Sequence, residues 1–444
     1  MAARPEKGKP GHDETKSRQD RGHECTGKHK LAMNGKNPSG TADIGDEGLG
    51  LIGKFPLCGA GRNIARNPAT NLRAPRGVNL FPDCSMKLFH CAHCRNLVYF
   101  ESHICVRCEH PLAYLSDLRK VSSLERDAEG ILTAVTRGAN GKAYKLCANY
   151  EQHHVCNWAI PADDPEALCH ACRLTRVIPD TSAPGARTAW YKLETAKRRV
   201  IHALGSMGLP VKTKVEDPER GLAFSFLADS ADGSSRVMTG HEDGLITIAL
   251  AEADDPERER RRTSLHEPFR TLLGHFRHEV GHYFWDRLVR DGGRVEEFRA
   301  VFGDESFDYH EALRTHYANG PKPNWEQNYI TAYASVHPWE DWAETWAHYM
   351  HMVDALETAE ATRVAVEPLE GEAVADLRDT FGGMVNNWHA LTHMLNNLNR
   401  SLGSLDAYPF IWCAPAIEKM RYIHDLVTAT ADNATVAQKV GVGT

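Results

Sequence analysis

The chain has 444 residues, 42% hydrophobic and 25% charged, with a formal net charge of −7. These values match soluble globular proteins and exclude collagen-like and wholly disordered classes. No run approaches the ~18 consecutive apolar residues of a transmembrane helix, and the near-balanced charge gives no global reason to expect nucleic acid as a partner.

The first thirty residues carry scattered charge (Arg4, Glu6, Lys7, Lys9, Asp13, Glu14, Lys16) and no apolar stretch of the kind a secretory leader uses, so the expected location is the cytoplasm. Residues 1–75 are rich in Gly, Lys, Asn, Pro and Ser, which predicts a disordered tail. Within it, Leu49 to Leu57 is the one patch expected to order. From 76 to 180 the chain reads as short strands and turns, too poor in long apolar runs for a conventional core of that size. Eight of the twelve cysteines fall there. In a reducing compartment, closely spaced pairs bind metal rather than form disulfides.

Cys91-x2-Cys94 and Cys105-x2-Cys108 are two knuckles, each offering two thiolates to one tetrahedral ion, the pattern of a four-thiolate zinc ribbon. His90, His93, His103 and His110 surround it, but four cysteines already complete the shell. Cys147, Cys156 and the pair Cys169-x2-Cys172 predict a second four-thiolate site, with His153, His154 and His170 nearby. Closed sites of this type stabilise structure and leave no position open for catalysis. Cys25, Cys58, Cys84 and Cys413 are scattered and read as apolar filler or free thiols.

From residue 186 the texture changes. Trp190, Leu193, Ala196, Val200 and Leu204 recur at helical spacing across 188–207. Two strand-like runs, Leu222 to Leu227 and Leu245 to Leu250, flank a turn at Asp232-Gly233-Ser234-Ser235. A helix is predicted from Glu267 to Arg290 and stopped by Asp291-Gly292-Gly293. Another should run from Pro338 to Ala359, with one or two more between 366 and 428. The expected class is α+β: a Cys-rich module over 76–180, then a mainly helical domain over 186–430 with a small β-sheet, and a C-terminal tail over 431–444.

The most informative residues are His278-Glu279-Val280-Gly281-His282. Positions i and i+4 of a helix face the same way, so the two imidazoles can share one zinc ion, and Glu279 projects beside them as general base. A catalytic zinc needs a third protein ligand and an open position. Trp285 and Leu288 stand where a metzincin would have Gly and His, which excludes that class. Glu340 and Glu344 lie one turn apart on the helix that Pro338 opens. They are interleaved with Trp339, Trp342, Ala343 and Trp346, so part of this face is buried, and a buried carboxylate without a partner is costly. Metal binding therefore accounts for them better than solvation does. Asp341 points elsewhere on the helix. Tyr333, Tyr329 and Tyr283 are read either as packing residues or as candidates to donate to an oxyanion.

This arrangement resembles that of the gluzincins, where the first carboxylate of an E-x-x-x-D/E pair binds zinc and the second orients a ligating histidine. The resemblance implies Glu340 as ligand, Glu344 as its support, and Tyr333, seven residues before Glu340, as the oxyanion donor. The chain also resembles a bacterial family of zinc-binding metallopeptidases with an N-terminal zinc ribbon. The matching stretches are Phe89-His90-Cys91-Ala92-His93-Cys94, Cys147-Ala148-Asn149-Tyr150, Gly274-His275-Phe276-Arg277-His278-Glu279, and Ala332-Tyr333 through His348-Tyr349. This second resemblance implies a zincin-like domain with one catalytic and two structural zinc ions, hydrolysing a peptide or protein substrate, with the ribbon able to dock a protein partner. Nucleic acid and membrane are not expected partners. The alternative is a ribbon-based nucleic-acid- or protein-binding protein whose metal domain is weakly active or hydrolyses non-peptide amides.

Overall fold

The computed structural model describes residues 88–230, 234–264, 270–366 and 379–441. The expected tail, the Leu49 to Leu57 patch, Cys25, Cys58, Cys84 and the start of the helix predicted from Glu267 lie outside them. The described chain opens with a hairpin, β1 (Phe89–His90) and β2 (Leu97–Val98). Cys91 and Cys94 lie in its turn. There the Arg95 N–H returns to the Cys91 carbonyl, and the Glu109 N–H returns to Cys105 in the same way. Both Arg95 and Glu109 take left-handed φ, so the two knuckles repeat one backbone turn.

Five short strands follow: β3 (Leu112–Leu115), β4 (Lys120–Arg126), β5 (Leu132–Ala134), β6 (Ala143–Leu146) and, after the one-turn helix α1 (Ala148–Glu151), β7 (Trp158–Pro161). They close into a barrel, with β3 and β7 pairing in parallel. Leu112, Tyr114, Leu124, Trp158 and Ile160 are buried in this region. It therefore has a packed core of its own, contrary to the sequence expectation. Its strands are only three to seven residues long, which leaves no long apolar run to see.

Helix α2 (His170–Arg173) leads into β8 (Thr175–Val177), and α3 (Ala186–Ser206) follows. Next come β9 (Ala223–Leu227), β10 (Gly240–Glu242) and β11 (Leu245–Ala249). The sheet order is β10-β11-β9-β8, so a strand from the Cys-rich half completes the sheet of the helical half. Helix α4 (Asp255–Ser264) precedes α5 (Leu272–Phe284), whose first turn is capped by the Thr271 hydroxyl accepting from the Gly274 N–H at 3.0 Å. The chain continues as a π-helical turn over Trp285–Arg290, then α6 (Val295–Phe302) and α7 (Tyr309–Asn319). Pro338 opens α8 (Pro338–Ala361), before α9 (Thr380–Ser401) and α10 (Ala414–Gly441). The last helix runs well past residue 430.

The core of the helical half is the crossing of α5 and α8. Phe276, Val280 and Phe284 of α5 are buried against Trp342, Trp346 and Tyr349 of α8, with Phe284 stacked on Trp346 at 4.9 Å between ring centroids. The helices meet at Gly281. A Cβ there would lie 3.0 Å from the Ala343 Cα and 3.2 Å from the Trp346 Cβ. The Trp342 indole N–H donates to the Gly281 carbonyl at 2.8 Å, and Arg277 reaches across to an ion pair with Asp354.

Gly281→Ala therefore sets two effects against each other. Helix propensity favours alanine by about 1 kcal/mol, whereas overpacking against a backbone atom costs roughly 1–3 kcal/mol. The expected result is a net loss of up to about 2 kcal/mol in denaturant unfolding. A gain in stability would mean that the two helices can part at no cost.

Candidate metal centre

Helix α5 presents His278 and His282 on one face, and the first two turns of α8 present Glu340 and Glu344 towards them. His278 Nε2 and His282 Nε2 are 3.2 Å apart, and Glu340 Oε2 lies 3.0 Å from the first and 3.6 Å from the second. A tetrahedral ion bound at about 2.0–2.1 Å would set such ligands roughly 3.3 Å apart. Glu340 is 1% exposed, and its Oε2 receives no hydrogen bond of acceptable geometry despite its two imidazole neighbours. Three lone pairs aimed at one point are what a cation needs and what a hydrogen-bonded cluster avoids. The donor set fits zinc.

Glu344 stands behind His278. Its Oε1 accepts from His278 Nδ1 at 2.6 Å, and its Oε2 accepts from the Thr331 hydroxyl at 2.8 Å. In the neutral imidazole that hydrogen bond keeps the proton on Nδ1, so Nε2, turned towards His282, carries the lone pair. Burial pushes the Glu340 carboxyl up, but His282 and His278 outweigh it and hold it well below the usual carboxylate range. Glu344 is lowered in the same sense, chiefly by His278 working against its own burial.

Glu279, on the same turn of α5, is buried, and its Oε2 has no hydrogen-bond partner. Burial raises its pKa above the ordinary glutamate value. Tyr333 lies in a 3-10 turn, with its ring centroid 6.1 Å from that of His278. Burial keeps its phenol protonated far beyond neutral pH. Tyr283 is turned away, donating to the Arg220 carbonyl at 3.0 Å, and Tyr329 lies under Lys419.

Two residues at the centre escape the sequence reading. The Tyr309 hydroxyl donates to Glu340 Oε1 at 2.5 Å, and Thr331 supports Glu344. Neither stands at a helical offset from the motif, so no periodicity could have drawn attention to it. Asp341 is buried away from the centre in an ion pair with Lys419 at 2.6 Å. The strand expected at Leu245 to Leu250 is internal, because β11 pairs with both β9 and β10. The edge next to it is β10, whose His241 ring lies 6.4 Å from that of His282.

The eight clustered cysteines form two groups. Cys91, Cys94, Cys105 and Cys108 converge, as do Cys147, Cys156, Cys169 and Cys172, with all Sγ atoms of a group within 4.8 Å of one another. The Cys91–Cys108 and Cys94–Cys105 sulfurs are 3.6 Å apart, and Cys156–Cys169 are 3.8 Å apart. A zinc ion with sulfur at about 2.3 Å requires roughly 3.8 Å. Both groups suit structural zinc. The second abuts α3, where Lys197 and Glu194 form an ion pair with no exposed surface and the buried Arg198 donates to the Val155 carbonyl. Four thiolates around a divalent ion leave a net charge of about −2, which Arg198 opposes.

The family described as "Putative zinc-binding metallo-peptidase" matches residues 186–426, more than half of the chain. The chain belongs to this zinc metallopeptidase family. A zinc-ribbon family matches residues 88–183, the half that carries both cysteine groups. One protein of Mycobacterium bovis and two of Mycobacterium tuberculosis strains, each named only as an uncharacterized protein, are 38% identical over 347 residues. That span covers 78% of this chain and 96% of each relative, and it exceeds the metallopeptidase match alone. No solved structure matches the chain. No described helix of the chain is long and apolar enough to cross a membrane.

Zinc content of the purified protein should be three ions per chain. His282→Ala and Cys169→Ser should each lower it to two. Cys169→Ser should also depress the melting temperature, because α3 packs on that group and metal binding there is folding free energy. An unchanged melting temperature would show that α3 does not depend on the second thiolate group.

Proposed function

We propose that the protein is a zinc-dependent peptidase in which His278, His282 and Glu340 hold the catalytic ion and Glu279 is the general base. The observation that carries this reading is the convergence of His278 Nε2, His282 Nε2 and Glu340 Oε2 beside a buried carboxylate oxygen, Glu279 Oε2, that no other group engages. When bound, zinc supplies Lewis acidity, lowering the pKa of a water towards neutrality and polarising the scissile carbonyl.

The chain's own residues do the rest. Glu279 Oε2 takes a proton from the attacking water and returns it to the leaving amine. Burial raises its pKa, which favours taking up the proton that it must then deliver. Glu344 holds the His278 ring through Nδ1, so the ligand tautomer is fixed before substrate arrives. Tyr333, protonated and beside His278, donates to the oxygen that gains charge at the carbonyl. The edge strand β10, paired on one side only among the described residues, can take an extended peptide by strand addition.

Three variants measured side by side separate these roles. Glu279→Gln should keep its zinc while hydrolysis of a peptide library falls by roughly 10²–10⁴-fold. Glu340→Gln should lose zinc affinity as well as activity. Glu344→Gln should lose about 10–100-fold in affinity or turnover. Unchanged hydrolysis in Glu279→Gln would sink the mechanism, and full zinc retention in Glu340→Gln with loss in Glu344→Gln would exchange the roles of the two glutamates.

A further inference from the structure

We infer that Tyr309 is a positioning residue of the metal centre: its hydroxyl, bonded to Glu340 Oε1, restricts Glu340 to binding the ion through Oε2 alone. The inference rests on Glu340 being a zinc ligand.

Glu340 has two oxygens and a different task for each. Oε2 faces the two imidazoles at 3.0 and 3.6 Å. Oε1 accepts from Tyr309 at 2.5 Å. A carboxylate beside a divalent ion can bind through one oxygen or through both, and zinc sites of catalytic type need positions left free for water and substrate. A short hydrogen bond to one oxygen opposes the rotation that would bring it onto the ion.

Burial makes this bond decisive. With Glu340 1% exposed, solvent is not at hand to replace a lost donor. An ionised acceptor left without a donor carries its full desolvation penalty. Swinging Oε1 onto the ion is the nearest relief.

The phenol is also held in place. Tyr309 is the first residue of α7, and the Asp308 carboxylate caps that turn by accepting from the Glu311 N–H at 2.9 Å. The Tyr309 ring stands edge-on against His337 at 5.3 Å, and His337 in turn caps α8, accepting from the Trp339 N–H at 3.1 Å. The two helix starts therefore fix each other, and Glu340 lies in the first turn of the second. None of the α7 side chains is fully buried, so the position of Tyr309 is not a by-product of core packing.

The test uses the full chain as Tyr309→Phe and Tyr309→Ala, with two readouts that need no turnover. One is zinc affinity of the His278 site by competition with a chelator. The other is the visible absorption of cobalt exchanged into that site, which reports coordination number. Tyr309→Phe keeps the ring and loses only the hydroxyl. It should weaken zinc roughly 10–100-fold, the usual effect of losing a group that orients a ligand, and should shift cobalt towards a weaker, higher-coordinate spectrum. Zinc bound at the two cysteine groups should match that of the parent, which shows that the fold is kept. Parent-like affinity and spectrum in Tyr309→Phe, with loss only in Tyr309→Ala, would assign Tyr309 to packing and overturn the inference. If the parent binds zinc but cleaves no peptide, the peptidase reading fails while the clamp is still decided by these two readouts.

Discussion

The close approach of α5 to α8 at Gly281 is the constraint on which the metal centre depends. His278 and His282 flank that glycine by three residues and one, and Glu340 and Glu344 flank the Ala343 that meets it. Only a residue without a side chain lets the two backbones come near enough for imidazoles on one helix to share a point with carboxylates on the other. The Trp342 indole bonded to the Gly281 carbonyl and the Arg277–Asp354 ion pair lock the crossing on either side. Packing and chemistry are one contact here.

Charge explains why the site calls for a cation. Glu279, Glu340 and Glu344 are gathered round two imidazoles in a largely dry interior. Buried like charges repel strongly unless something positive stands among them. The same logic operates at the second cysteine group, where Arg198 opposes the thiolates and, through its bond to the Val155 carbonyl, ties the ribbon half to α3. Helix α3 packs in turn on α5. Together with β8, which the Cys-rich half lends to the four-stranded sheet, this joins the two halves mechanically.

The sequence disclosed what is local and periodic. His278, Glu279 and His282 are legible because a helix repeats every 3.6 residues, and Glu340 and Glu344 because tryptophans between them mark a buried face. The cysteine groups are legible from spacing alone. The five-stranded barrel was hidden because its strands are only three to seven residues long. The strand β10 (Gly240–Glu242) was hidden because it carries no apolar run. Tyr309 was invisible because it opens a helix without buried residues and meets Glu340 only through the tertiary fold.

The central claim is that one ion sits between α5 and α8, held by His278, His282 and Glu340. Diffraction from crystals of the intact chain on either side of the zinc absorption edge tests it directly. Three anomalous peaks are expected, two within the cysteine groups and one within about 2.0–2.2 Å of His278 Nε2, His282 Nε2 and a single oxygen of Glu340. No peak at that third position, or one coordinated by Glu344 in place of Glu340, would contradict it.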